Sequence, residues 1–254
     1  MVEVADFSGN VPIRLTCKDC SLAELCLPRG LSLDDMERFE AMVDQRPAMA
    51  RGKILYQTGD VFTGLYAVKS GSFKTTISAS DGEDQITGFY LPGELFGFDG
   101  FDDNHSCSAI SLEHSSACEL PLSSIDQLVV KIPNLRRELD RLMAREITAD
   151  QSMLLQLSRR TAEQRLAAFI VSLSTRFRQR GFSGTEFSLS MSRHDIANYL
   201  GLAAETVSRL FRRFNEKHLA SANGRTIIIQ DFEALHRQIH GHEERQIPTF
   251  DQSN

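Results

Sequence analysis

Three cysteines, Cys17, Cys20 and Cys26, fall within ten positions in "CKDCSLAELCLP", although the chain of 254 residues has only five. Thiolates grouped in this way are soft ligands, suited to zinc or to iron–sulfur chemistry. In a reducing compartment, clustered cysteines more often bind metal or do redox work than form disulfides. The C-x2-C-x5-C spacing suits neither common zinc pattern, and no histidine lies within the trio. Two cysteines remain as a fourth donor, Cys107 in "HSCSA" and Cys118 in "CELP", and spacing alone does not choose between them.

A second group of residues has the chemistry to read nucleic acid. In "SRHDIANYLGLAAETVSRLFRRFNEKHLA", Ser192 and Asp195 fit a capping box for a helix over Arg193–Leu200. Gly201 follows as the turn, and a second helix begins near Ala204. Ala197, Gly201, Val207 and Leu210 have the spacing that lets two short helices cross closely, a helix-turn-helix signature. On the second helix Glu205, Ser208 and Arg209 share one face. Arginine pairs bidentately with guanine and glutamate accepts from cytosine N4, so this face suits base reading. Arg212 and Arg213 suit phosphate. Ala203 offers no side-chain cap where Thr or Ser would, at a cost of about 1 kcal/mol. "ANGRTIIIQD" then supplies a turn and a strand, the wing.

The elements that must position these groups are also legible. Nine of the sixteen glycines fall between Gly52 and Gly100, among short alternating runs bounded by Gly, Asp and Ser. This pattern predicts many short strands and tight turns, with "SDGED" at a hairpin tip. After Pro133 there is no glycine or further proline until Arg160, and one long helix is expected. Met143, Ile147, Asp150, Leu154 and Leu157 follow steps of 4, 3, 4 and 3, the seam of a helix pair. Asp150 sits where an apolar residue belongs. In a symmetric dimer two like carboxylates would meet there. An amphipathic helix, "AEQRLAAFIVSLSTRFRQRG", opens the last region and is stopped by Gly181.

Charge is divided along the same lines. Residues 159–240 carry 13 Lys and Arg against 7 Asp and Glu, a net of +6, on a chain whose overall charge is −6. A basic C-terminal third on an acidic chain points to a polyanion partner. No stretch approaches the ~20 apolar residues of a membrane span, and the first sixteen residues do not resemble a secretory signal. We therefore expect a cytoplasmic protein with no membrane partner. No nucleophile–base pair, phosphate-cradling loop or histidine metal motif marks an enzyme.

With these pieces assembled, the chain resembles the fumarate–nitrate reduction (FNR) regulators within the superfamily of cyclic-AMP receptor proteins. The resemblance runs from Cys17 to about Ala234 through "CKDCSLAELCLP", "QITGFYLPGELFGFD", "CELP", "PNLRRELDRLMAREITADQSMLLQLS", "RLAAFI", "RFRQRGFS" and "ETVSRL". It implies an α+β chain: a cysteine-rich segment over residues 1–30, a β-roll (a cupin-like double-stranded β-helix) over 31–132, a dimerisation helix over 133–160 and a winged helix-turn-helix over 161–242. Residues 243–254 read as a disordered tail. It further implies a [4Fe–4S] cluster on Cys17, Cys20, Cys26 and Cys118, intact without oxygen and supporting a homodimer on DNA with inverted TTGAT-like half-sites. Cys107 is then a buried bystander. It stands roughly where cyclic-nucleotide receptors have a phosphate-binding arginine, so no cyclic nucleotide is expected. His105 and His114 are expected to be surface or hydrogen-bonded histidines. Two exposed loops, Asp81, Gly82, Glu83 and Asp84 and then Arg180, Gly181 and Phe182, match regions that touch RNA polymerase in relatives. The competing expectation is a regulator gated by another small ligand, with the cysteines holding zinc.

Overall fold

The computed structural model describes residues 17, 20, 22, 23, 25–27, 31–78 and 82–240. The expected tail, and Asp81 of the first polymerase loop, lie outside them. Helix α1 (Leu33–Glu40) is the first helix among the described residues; Ser32 caps it by accepting the N–H of Asp35. Eight strands follow: β1 (Asp44–Gln45), β2 (Ile54–Tyr56), β3 (Gly64–Ser70), β4 (Phe73–Ser78), β5 (Asp84–Tyr90), β6 (Leu95–Phe96), β7 (Ser108–Ser111) and β8 (Ser116–Pro121). They form two four-stranded sheets, β1-β8-β3-β6 and β2-β7-β4-β5, whose pairings are all antiparallel.

Helix α2 (Leu122–Lys131) and the long α3 (Pro133–Arg159) follow, with Pro133 in the first turn of α3. The last region holds α4 (Ala162–Gln179), β9 (Glu186–Ser188), α5 (Arg193–Leu200), α6 (Ala204–Glu216), β10 (Ala220–Asn223), β11 (Thr226–Ile229) and α7 (Phe232–His240). The wing is a three-stranded sheet, β10-β11-β9, larger than the single strand read from the sequence. No helix among the described residues is long and apolar enough to cross a membrane.

Three apolar clusters hold the molecule. One is aromatic and fills the β-roll around Tyr56, Tyr66, Phe73 and Phe96. A second joins Leu27 of the cysteine segment to Leu65, Leu95, Leu120, Leu128, Leu135 and Leu139, so the segment, the roll and the start of α3 share one core. The third is the core of the C-terminal region, and it also takes in Ile86, Phe89, Leu91 and Leu112 from the β-roll. Beyond Leu139 the long helix buries no further residue, and Met143, Ile147, Asp150, Leu154 and Leu157 are all exposed.

Candidate sensor and nucleic-acid sites

The cysteine segment is built from tight turns. The Cys20 N–H donates to the Cys17 carbonyl at 3.3 Å, Ala23 to Cys20 at 3.0 Å, and Cys26 to Leu22 at 2.9 Å. These turns aim the thiols toward the β-roll, where Cys118 on β8 pairs with Ala67 on β3 and Gln45 on β1. Cys17, Cys20, Cys26 and Cys118 all line one cavity of about 50 Å³. Its other walls are mostly apolar, Leu22, Leu27, Phe39, Leu65, Leu95 and Leu120 among them.

Burial in this cavity pushes the Cys26 thiol up to about 12, against a backbone hydrogen bond that lowers it. Burial also pushes Cys17 up to about 12, with Cys118 and Glu40 adding to the effect, and it raises Cys118 despite the nearby Lys69 ammonium. Thiols with these surroundings hold their protons, so any cation bound here must displace them. Among the described residues, no three His, Cys, Asp or Glu side chains are gathered closely enough to hold a single ion. Four of the cavity's donors are sulfur, the ligand type of an iron–sulfur group, while the Glu119 carboxylate that also lines it is taken by Arg46 and Thr63.

Cys107 is elsewhere. It is buried in the aromatic core of the roll, its sulfur 3.9 Å from the Tyr56 hydroxyl. Its N–H and that of Ser106 both donate to Oδ2 of Asp99, at 3.1 and 2.9 Å. His114 is exposed as expected. His105 departs from expectation: it is 2% exposed and only half satisfied. Its Nδ1 lies 3.3 Å from Asp99 Oδ2, its ring stacks on Tyr56, and Nε2 has no partner.

The second site lies on α6. Its buried side, Val207, Leu210, Phe211 and Phe214, seats it in the C-terminal core. Glu205, Ser208, Arg209 and Arg212 stand exposed on the other side. The Ser208 hydroxyl donates to the Ala204 carbonyl at 3.0 Å, while Glu205 and Arg209 form no ion pair with each other. The crossing that presents this face follows the sequence closely. Ser192 and Asp195 make the capping box, and Gly201 adopts φ 60°. Arg213, also exposed, pairs with Glu163 of α4 in the single chain. Arg193, which no sequence signal marked, lies 3.9 Å over the Phe211 ring and donates to Gly224 at 3.3 Å, tying the wing to the two helices.

Each of the two polymerase-loop candidates is tied to another part of the chain at one residue. Gly82, Glu83 and Asp84 are all exposed, with Asp84 opening β5. The Asp84 carbonyl accepts the Asn198 amide at 2.7 Å, and the Ile86 N–H donates to the Asn198 side-chain oxygen at 2.6 Å. In the second, Gly181 and Phe182 are exposed, whereas the Arg180 side chain is 4% exposed and pairs with Glu94 at 2.6 Å. Charge pairing across the chain, which a local reading cannot see, explains the difference.

Comparison with known proteins bears on both sites. Residues 164–238 match the Crp-like helix-turn-helix domain and residues 48–132 the cyclic nucleotide-binding domain. The chain is 51% identical over 216 residues to the transcriptional activator protein Anr of Pseudomonas protegens, covering 85% of this chain and 88% of that one. It is 44% identical over 236 residues to the fumarate and nitrate reduction regulatory protein of Escherichia coli, covering 92% and 93%. Among solved structures, FixK2 from Bradyrhizobium japonicum superposes with a TM-score of 0.71 at 27% identity, over 77% of this chain and 96% of that one.

Proposed function

Because the chain belongs to the FNR regulators of the CRP/FNR superfamily, and so to the transcription regulators, we propose that it is an oxygen-responsive activator of anaerobic genes whose cysteine segment carries a [4Fe–4S] cluster. The observation that carries this reading is the meeting of four thiols, three from a separate segment and one from β8, in a single cavity with mostly apolar walls. Cys17, Cys20, Cys26 and Cys118 are the ligands. A bound cluster supplies iron–thiolate bonds that oxygen can destroy. The residues of the chain do the rest. The thiols fasten the segment to the roll, and Leu27 inserts between the roll and the first turns of α3. Loss of the fastening loosens a core that includes Leu135 and Leu139, the inner face of the dimerisation helix.

The exposed seam on α3 is where a second copy docks, and Asp150 keeps that docking marginal. Partial desolvation by neighbouring groups already raises the Asp150 carboxyl in the single chain. Two such groups facing each other would oppose a dimer further. In the dimer each α6 enters a major groove, with Glu205, Ser208 and Arg209 on the bases of a TTGAT-like half-site and Arg212 on phosphate. Arg213 serves as a positioning residue through Glu163. Gly82, Glu83, Asp84, Gly181 and Phe182 are the exposed parts of a polymerase-facing surface. Cyclic nucleotides are not effectors. The backbone N–H groups of Ser106 and Cys107 are taken by the Asp99 carboxylate, which would also repel a phosphate.

Anaerobic purification with iron and sulfide analysis, and a visible spectrum before and after air, tests the reading. About four irons and four sulfides per chain are expected, with bleaching and dimer loss in air. A colourless chain with one zinc, unchanged by air, would refute it.

A further inference from the structure

One turn of the β-roll, Phe89–Glu94, is held from two sides. On one side lies the cysteine segment. Gly93 has φ 86°, and a Cβ built on it would fall 2.8 Å from the Cβ of Leu25, the residue beside Cys26. The segment packs here because a glycine leaves room for it. On the other side lies α4, the first helix of the DNA-binding region. Arg176 grips both carboxylate oxygens of Glu94, its Nε donating to Oε1 at 2.9 Å, and it donates to the Phe89 carbonyl at 2.6 Å. Arg180 donates to Glu94 Oε1 at 2.6 Å and to the Pro92 carbonyl at 2.7 Å. Glu94 also accepts the Leu91 N–H at 2.9 Å, which closes the turn on itself.

The same helix carries Leu166, Ala167, Phe169, Ile170 and Leu173 into the core that seats α5 and α6. Whatever fixes Arg176 and Arg180 therefore fixes the recognition helix relative to the roll. We propose that Glu94 is a positioning residue that relays the order of the cysteine segment, through the Leu25–Gly93 contact, to the winged helix-turn-helix within one chain. This route rests on the cluster reading given above, and it acts in addition to dimerisation. A fastened segment holds the turn, the turn holds two arginines, and the arginines hold the reading head. A released segment leaves the turn supported on one side only.

A double-mutant cycle on the full chain, kept anaerobic, tests the relay with Leu25→Ala, Glu94→Gln and the two combined. Two quantities are read: deuterium uptake over residues 172–180 and affinity for a duplex with inverted TTGAT-like half-sites. Each single change is expected to raise uptake and to weaken specific binding about tenfold, inside the usual range for coupled sites. The combined chain is expected to be no worse than the poorer single, and Leu25→Met to restore parent behaviour. Additive losses, or a Leu25→Ala chain whose α4 exchanges as the parent does, overturn the relay. Should Glu94→Gln fail to fold, Arg176→Lys takes its place, since it keeps the charge and loses the two-pronged grip. Iron and sulfide on the same samples judge the cluster separately. A colourless chain would count against the sensor reading, while the uptake cycle still decides the relay.

Discussion

Lys74 Nζ, on strand β4 of the roll, lies 2.6 Å from Oδ1 of Asp195, on the first helix of the helix-turn-helix. Asp195 also accepts the Ser192 N–H at 2.8 Å, so one carboxylate caps a helix and joins two regions. Burial pushes this carboxyl up, but Lys74 and Ser192 outweigh it and hold it below the usual carboxylate value. Lys74→Met leaves a buried charge with Ser192 alone. A loss of about 2 kcal/mol is expected, somewhat under the range for breaking a fully buried pair. Urea unfolding checks it; an unchanged midpoint would show that the pair contributes nothing.

The two unclustered cysteines should separate cleanly. Cys118→Ala, like Cys20→Ser, is expected to abolish iron binding under anaerobic purification. Cys107→Ala is expected to keep the iron and lose only about 1 kcal/mol of stability, the cost of a small cavity. Iron analysis and thermal melting read both effects, and iron loss in Cys107→Ala would reassign the fourth ligand.

Asp150→Ala replaces the charged member of the α3 seam by a good helix former. It is expected to give a dimer in air as well as without it. Sedimentation decides this, and a monomer in air would mean that the seam is not the dimer contact.

Arg209→Ala is expected to cost about 1–3 kcal/mol on a specific site and to spare most non-specific binding. Arg213→Ala acts differently. With its guanidinium already on Glu163, its loss is expected to lower stability and to leave the salt dependence of DNA binding nearly unchanged. Titrations at several salt concentrations measure both. Equal losses for Arg209→Ala on the two DNAs would make it a phosphate contact.

Acid should loosen the hold of Glu94 on α4. Burial pushes the Glu94 carboxyl up, but the Arg176 and Arg180 guanidiniums outweigh this and bring it below its ordinary value. Its contribution is then complete above the unfolded value of about 4.3 and is lost as pH falls through the lower folded one. The Tm difference between the parent and Glu94→Gln is expected to be constant near neutrality and to shrink below about pH 4. A difference that grows on acidification would contradict the pairing.

What could be read from the sequence was local. The Ser192–Asp195 capping box, the Gly201 turn, the long helix after Pro133 and the grouping of the cysteine trio each rest on short-range patterns, where spacing fixes geometry. The fourth cysteine is a different matter. Cys118 reaches the trio because β8 lies between β1 and β3, a relation that only sheet topology supplies. The ion pairs of Arg213 and Arg180 are hidden from a sequence reading for the same reason. Their partners, Glu163 and Glu94, are far away in sequence, and an arginine near a helix end carries no mark of being already paired. Asn198 was missed because a side-chain amide that completes a strand edge has no motif.

Comparison by sequence recognises two separate stretches, 48–132 and 164–238, as though they were interchangeable parts. The rings of Phe89, Phe169 and Tyr199 say otherwise, since they pack against one another across the boundary with centroids 5.0 to 6.1 Å apart. A chain cut at residue 161 would leave each fragment with half of an aromatic contact open to water. The pieces would be expected to aggregate rather than to work in isolation, and the intact chain to melt in a single cooperative step. Modularity in this molecule belongs to its ancestry and not to its thermodynamics.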